Sequence, residues 1–246
     1  DVTKYVTAWR DRVMMAVSKF KWVPKSTAQA DVFNALQPAI RFEKADCLDL
    51  PEVMYQTREV PLTSQVIKYY NWLKNQLLIE AAGEQVSAVN AAAKLSKLLQ
   101  ISGGAVYTDT KEVVEFDVSP RLNALMEVLE ETIHKVIVFV PLTAALETVA
   151  KELSKDWAVE IVHGETSKAD RDRIFSSFQK TEDPRVLVAN AATMSHGLTL
   201  TAATTIVWYA PVHSNEIYEQ ACARVRRPGQ TKTTVIAHIA GSDVER

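Results

Sequence analysis

The residues best suited to chemistry lie near the carboxyl end, in the run Gln220-Ala-Cys-Ala-Arg224-Val-Arg226-Arg227-Pro-Gly-Gln230. At about 100° per residue, a helix brings Gln220, Arg224 and Arg227 within roughly 60° of one another, so an amide and two guanidiniums share one side. Tyr218, Ala221, Cys222 and Val225 recur at i, i+3, i+4 and i+7 and form a separate apolar stripe suited to a core. Arg226 points elsewhere, and Pro228-Gly229 stops the helix, which leaves the arginines in its last turn. Two chemistries are open to them. Cations at a helix C-terminus complement its dipole and stay solvated. Alternatively, planar and permanently charged forks aimed from a rigid helix bond the oxygens of a phosphate chain. Offered to a nucleotide held elsewhere, they stabilise the charge that develops on a transferred phosphoryl group.

The elements that must position this helix change character near residue 120. Upstream, periodicity predicts helices over 2–20, 27–40, 64–82 and 85–100, interrupted by a strand over 52–62. Val66, Ile67, Tyr70, Leu73, Leu77 and Leu78 carry the helical repeat of one, and Val86, Val89, Ala93, Leu95, Leu98 and Leu99 that of the next. Ser102-Gly103-Gly104 closes them, and 107–117 reads as a polar loop or hairpin. Downstream, helices over 121–131, 143–153, 168–179 and 215–227 alternate with strands over 135–140, 158–162, 186–190, 205–209 and 233–239, with Thr143 placed to cap the second helix. Short apolar strands separated by amphipathic helices predict an α/β fold: a parallel sheet flanked by helices, here preceded by a mostly helical region. Ligands of such sheets sit at the carboxyl ends of the strands, which draws attention to the loops after Val140, Val162, Asn190 and Tyr209.

Composition removes several classes of function. The 246 residues are 47% hydrophobic and 24% charged, with 28 Lys and Arg against 30 Asp and Glu. So even a balance excludes holding nucleic acid by overall charge but leaves a local basic patch open. Cys47 and Cys222 stand far apart and without metal-ligand spacing, so neither a disulfide framework nor a zinc site is expected. Two thiols fit a reducing compartment, and a cytoplasmic location is the expectation. The longest apolar stretches, 136–142 and 206–212, are strand-length and far short of a membrane span, and no signal-peptide pattern opens the chain.

Five segments, in order, resemble the SWI/SNF-type ATPases of helicase superfamily two. The run from Gln220 to Gln230 is similar to the family's final helicase motif, Gln-Ala-x-Asp-Arg-x-His-Arg-x-Gly-Gln. Residues 186–203 resemble the preceding motif, a strand followed by a loop with Gly197 and then Leu200-Thr201-Ala202-Ala203. Residues 135–153 resemble the motif that opens the second lobe, and His163-Gly164 through Arg171 to Phe178 its Gly…Ser…Arg…Phe segment. Residues 40–51, with Arg41, Lys44, Asp46 and Leu50-Pro51, resemble the linker between lobes. The chain departs from the pattern at Ala223 for Asp, Arg226 for His, Phe42 for the second linker arginine, and His213-Ser214-Asn215 for Trp-Asn-Pro.

The resemblance implies an ATP-dependent double-stranded DNA translocase with a RecA-like C-terminal lobe over 120–246, a helical protrusion over 63–119, and the end of a first lobe with linker, mostly helical, over 1–62. ATP would lie between the lobes, with Arg224 and Arg227 reaching its γ-phosphate. Gln220, Gly197 and Gln230 would bind the nucleotide or position the helix. One DNA strand would be gripped through Thr143, Gly164, Thr166, Arg171, Asn190 and Thr193, where helix starts and loops offer N–H groups to phosphates. Thr143 and Ser167 also suit ordinary capping, and Arg171 also suits a salt bridge to Asp170 or Glu165.

Such a motor needs Gly-x-x-x-x-Gly-Lys-Ser/Thr to cradle phosphates and an Asp-Glu pair for magnesium. Gly103-Gly104 is followed by Ala-Val-Tyr, and no Asp-Glu dipeptide occurs. ATP and Mg are therefore expected to be bound mainly by an N-terminal RecA-like lobe of the same full-length chain, with residues 1–246 a fragment inactive alone. Two alternatives remain at this stage: a lobe of a strand-separating DNA or RNA helicase, and a non-catalytic nucleic-acid-binding scaffold that kept the fold.

Overall fold

A computed structural model describes residues 6–40, 49–83, 88–108, 110, 112–194 and 198–245, the side chains of 77–83 and 88–91 excepted. The chain divides into two compact units, Asp1–Asp49 and Leu50–Arg246.

The first unit holds α1 (Val6–Val13), β1 (Met14–Ser18), β2 (Lys21–Pro24) and α2 (Ala28–Leu36). The helix expected over 2–20 thus ends at Val13, and a hairpin follows. Its antiparallel pairs Met15↔Val23 and Ala16↔Trp22 set apolar side chains opposite one another, an interaction no local helix offers Trp22 and Val23. The Arg10 guanidinium lies 3.9 Å from the Trp22 ring centre, and Arg12 meets Asp31 of α2 at 3.1 Å. Among the described residues of this unit only Val13 is buried, while Met15, Val17, Phe20, Phe33 and Leu36 are exposed.

The second unit runs β3 (Val53–Glu59), α3 (Ser64–Gly83), α4 (Ala88–Ser102), β4 (Ala105–Tyr107), β5 (Val113–Glu115), α5 (Ser119–Glu130), β6 (Lys135–Phe139), α6 (Thr143–Leu153), β7 (Val159–Val162), α7 (Lys168–Lys180), β8 (Val186–Ala189), a 3-10 turn (Ala191–Met194), β9 (Ala203–Trp208), α8 (Asn215–Val225) and β10 (Thr234–Ala240). Six strands form one sheet in the order β3-β10-β9-β6-β8-β7, and every neighbouring pair is parallel. Parallel sheets need cover on both faces, and alternate side chains of each strand supply it. Val136, Val138, Val186 and Val188 face Leu125 and Leu129 of α5 and Leu146, Val149 and Leu153 of α6. Ile137, Phe139, Leu187 and Ile206 face Ile174, Phe175 and Phe178 of α7 and Ala221, Cys222 and Val225 of α8. The α/β architecture is as expected, and the sheet reaches further upstream than the change of pattern at residue 120. Strand β3 pairs with β10 along its whole length, from Val53↔Thr234 to Glu59↔Ala240.

Between β3 and α5 lie α3, α4 and the β4–β5 hairpin, which share a small core of Val66, Tyr70, Leu73, Leu98, Ile101 and Phe116. A buried ion pair joins this region to the sheet. Arg121, 2% exposed, donates Nη1 to the Tyr209 and Ile239 carbonyls and Nη2 to Glu245 Oε1 at 2.6 Å. The other Glu245 oxygen accepts from the Gly241 and Ser242 N–H groups, and Ser102 reaches the Ser242 hydroxyl at 3.2 Å. Among the described residues no helix is long and apolar enough to cross a membrane.

Candidate functional site

Helix α8 begins at Ser214, whose hydroxyl accepts the Ile217 N–H at 3.3 Å, just after the carboxyl end of β9. It runs back along the sheet and ends near the amino ends of β9 and β10. The helix stops at Val225, so Arg224 lies in its last turn and Arg227 lies beyond it, in a turn closed by Gln230 N–H onto the Arg227 carbonyl at 2.9 Å. That differs from the single helical face expected for both arginines. Pro228 cannot continue the helix, and Gly229 takes φ +100°, a conformation that L side chains rarely adopt.

Arg227 is nonetheless near enough for its charge to act on Arg224. Arg224 is 7% exposed, and burial, followed by the charge of neighbouring Arg227, lowers its pKa from the ordinary arginine value. The pair rests on the segment 198–202, which leads into β9. The Leu200 N–H donates to the Arg224 carbonyl at 2.9 Å, and Arg227 Nη1 donates to Thr199 Oγ1 at 3.4 Å.

The amides expected to touch nucleotide are otherwise engaged. Gln230 is buried, and its Nε2 donates to the carbonyls of Ala203 (2.9 Å), Thr201 (3.2 Å) and Val225 (3.4 Å), while its Oε1 accepts the Lys232 N–H. It stitches the end of α8 to the start of β9, a helix-positioning role. Gln220 donates Nε2 to Glu216 Oε1 one turn earlier, at 2.9 Å. Gly197 and neighbouring His196 lie outside the described residues, as do residues 41–48 of the segment resembling the linker.

The residues expected to grip phosphate sit at the opposite, carboxyl edge of the sheet. Thr143 is the first residue of α6, but Leu142 occupies the cap position and no side chain caps the helix, so the capping role expected of Thr143 is not found. Asn190 Nδ2 donates to the Pro141 carbonyl at 2.9 Å and its Oδ1 accepts the Ala192 N–H at 3.0 Å; the Thr193 hydroxyl donates to the Asn190 carbonyl. Asn190 therefore ties the loop after β8 to the loop after β6. Thr166 Oγ1 accepts the His163 N–H, shaping the turn that holds exposed Gly164, where an added Cβ would meet nothing within 4 Å. Ser167 caps α7 by accepting the Asp170 N–H at 3.1 Å. Arg171 donates to the Thr166 carbonyl at 3.2 Å and pairs with neither Asp170 nor Glu165; Arg173 is the residue that meets Glu160 and Asp170.

Two further residues belong to the arginine site: Thr199, inside the 186–203 segment that resembles a helicase motif, which accepts from Arg227, and Gln179 of α7, which holds the same segment through Thr201 and Ala202. No local periodicity marks a polar residue that acts across 22 positions of chain.

Solved structures share this fold. The C-terminal part of the Fun30 ATPase domain superposes with TM-score 0.62 at 16% identity, covering 79% of this chain and 87% of that one. The Sulfolobus solfataricus SWI2/SNF2 ATPase core, solved in complex with double-stranded DNA, gives 0.61 at 22% identity over 88% of this chain and 48% of that one. Residues 120–229, from α5 through the arginine turn, match the helicase conserved C-terminal domain family. Fold and match together define this part of the chain as a RecA-like helicase C-terminal lobe. Among sequence relatives, the SWI/SNF-related matrix-associated actin-dependent regulator of chromatin subfamily A-like protein 1 of Xenopus tropicalis is 27% identical over 176 residues, 68% of this chain and 19% of its own length. Protein p41 of Acyrthosiphon pisum secondary endosymbiont phage 1 is 24% identical over 248 residues, 97% of this chain and 52% of its own length. The relatives and solved structures to which the lobe is similar include SWI/SNF-type proteins. The chain spans about half the length of the phage relative and about a fifth of the Xenopus one.

Proposed function

We propose that this chain is the second lobe of an ATP-dependent, DNA-stimulated translocase or remodelling motor of SWI/SNF type. The observation that carries the reading is that Arg224 and Arg227 meet the same segment at one edge of the lobe: the Leu200 N–H holds the Arg224 carbonyl, and the Thr199 hydroxyl accepts from the Arg227 guanidinium. Their chemistry fits the γ-phosphate of ATP: rigid forks that stabilise charge as it spreads over the phosphoryl oxygens in the transition state. No phosphate-binding loop and no Asp-Glu pair occurs in the sequence, so the nucleotide's other phosphates and magnesium are assigned to an N-terminal RecA-like lobe. ATP bound between the lobes draws them together, and hydrolysis releases them.

The carboxyl edge is assigned to double-stranded DNA. The start of α6 at Thr143, the open turn at Gly164 and Thr166, and the knot of Asn190 and Thr193 present backbone groups able to position phosphates without reading sequence. Alternate closure and release of the lobes then moves the grip along one strand.

The test is ATP hydrolysis by the natural protein that contains residues 1–246, with and without double-stranded DNA, beside its Arg224→Ala/Arg227→Ala variant. DNA should stimulate hydrolysis, and the variant should lose about 10³-fold or more of the stimulated rate. A wild-type protein that binds DNA but hydrolyses no ATP is instead a scaffold, and the motor reading fails.

A further inference from the structure

Arg224 and Arg227 depend on the segment 198–202, and two glutamine amides from different elements hold that segment. Gln230 grips it from the side of α8, through the Thr201 and Ala203 carbonyls. Gln179, in the last turn of α7, grips it from the other side. Its Nε2 donates to Thr201 Oγ1 at 3.0 Å and its Oε1 accepts the Ala202 N–H at 3.1 Å. Leu200, between the residues so held and Thr199, is fully buried. Its N–H fixes the Arg224 carbonyl, while the Thr199 hydroxyl beside it receives Arg227. A chain of contacts thus leads from Gln179 through Thr201 and Ala202 to Leu200 and Thr199, and from these to both arginines.

Helix α7 can serve as the anchor because Ile174, Phe175 and Phe178 bury its inner face against the sheet. Gln179 follows Phe178 directly, so the rigidity of that packing is passed to the amide. Neither Gln179 bond serves α7 itself; both cross to a segment 22 and 23 residues away.

We propose that Gln179 is a positioning residue for the arginine pair, setting the height of the 198–202 segment on which Arg224 and Arg227 stand. The proposal rests on the reading that these arginines act on ATP. An arginine that stabilises mainly the transition state gives a specific kinetic signature when displaced: kcat falls while the KM for ATP holds. Displacements of about 1 Å cost up to roughly 10²-fold in rate. Gln179→Leu removes both bonds at similar side-chain size. Gln179→Glu keeps both, since a carboxylate still accepts the Ala202 N–H and the Thr201 hydroxyl can turn to donate.

The experiment measures steady-state ATP hydrolysis with saturating double-stranded DNA by the natural protein and its Gln179→Leu and Gln179→Glu variants. The Arg224→Ala/Arg227→Ala variant is measured with and without Gln179→Leu, and amide hydrogen exchange follows Leu200 and Ala202. Gln179→Leu should speed exchange at both amides and lower kcat by about tenfold or more with little change in KM. Gln179→Glu should restore kcat. In the background lacking both arginines, Gln179→Leu should cost nothing further, since coupled residues are not additive. An unchanged kcat in Gln179→Leu, or an equal loss with and without the arginines, overturns the proposal. If removal of the arginines leaves hydrolysis intact, the functional reading itself falls and Gln179 positions no catalytic group; altered exchange alone would not rescue it.

Discussion

At the scale of single residues, the site is decided by which polar groups are already committed. Gln230 has its donors on backbone carbonyls, whereas Arg171 spends one nitrogen on the Thr166 carbonyl and forms no ion pair with its acidic neighbours. Under the proposed DNA reading, Arg171→Ala should weaken binding to all sequences alike. The slope of log affinity against log salt should drop by about one, as measured by fluorescence anisotropy across a salt series. His238 offers a check on the fold. Its Nε2 lies 3.1 Å from the Tyr218 hydroxyl, and burial lowers its pKa from the usual 6.5, partly opposed by a hydrogen bond with the Gln56 backbone. A lowered folded value means the unfolded chain takes the proton first. Stability is therefore full above the unfolded pKa and falls as pH drops from about 6.5 through the folded value. Thermal melting between about pH 7 and pH 5 should show this slope, reduced in His238→Gln.

At the scale of elements, α8 carries the site because both its ends are fixed. Ser214 starts the helix, and the Leu200 N–H takes the carbonyl of Arg224 at its end. Ser214→Ala removes the N-terminal cap and should lower unfolding free energy by about 1 kcal/mol in urea. The change lies at the end of α8 away from the arginines, so under the proposed function kcat for ATP hydrolysis should change little. Glycine appears where backbone demands it. Gly104 takes φ +104°, and a Cβ there would sit 2.8 Å from Val118, so the turn joining α4 to the β4–β5 hairpin accepts no larger residue without a shift.

At the scale of the whole second unit, one buried charge pair joins parts that are distant in sequence. Arg121 and Glu245 stand 124 residues apart, with 2% and 0% of their side chains exposed. Through Tyr209, Ile239, Gly241 and Ser242 they link α5, the ends of β9 and β10, and Ser102 at the end of α4. Glu245→Ala strands a buried guanidinium, and the expected loss is about 3–5 kcal/mol in denaturant unfolding. Replacing both partners together by apolar residues should recover much of that loss, because the cost lies in the unpaired charge.

The alternation of strands and helices after residue 120 was legible in the sequence because each element there carries its own core. Runs such as Val136-Ile137-Val138-Phe139 are apolar on both faces, which only a buried strand can use, and the stripe of Ala221, Cys222 and Val225 turns α8 inward without help from distant chain. The arginines were legible for the same reason, their type and spacing being local. Tertiary structure decided the rest, wherever the partner of a residue is far along the chain. Strand β3 finds its place only by pairing with β10 about 180 residues later. The arginines stand at the amino edge of the sheet, away from the loops to which the carboxyl-edge rule points, because α8 returns antiparallel to β9 before ending. Gln179 and Thr199 join them only because a helix packed by Phe178 places an amide against a loop that local pattern leaves undefined. Sequence thus determined which groups the proposed phosphate site draws on, and the fold determined where they stand and what holds them there.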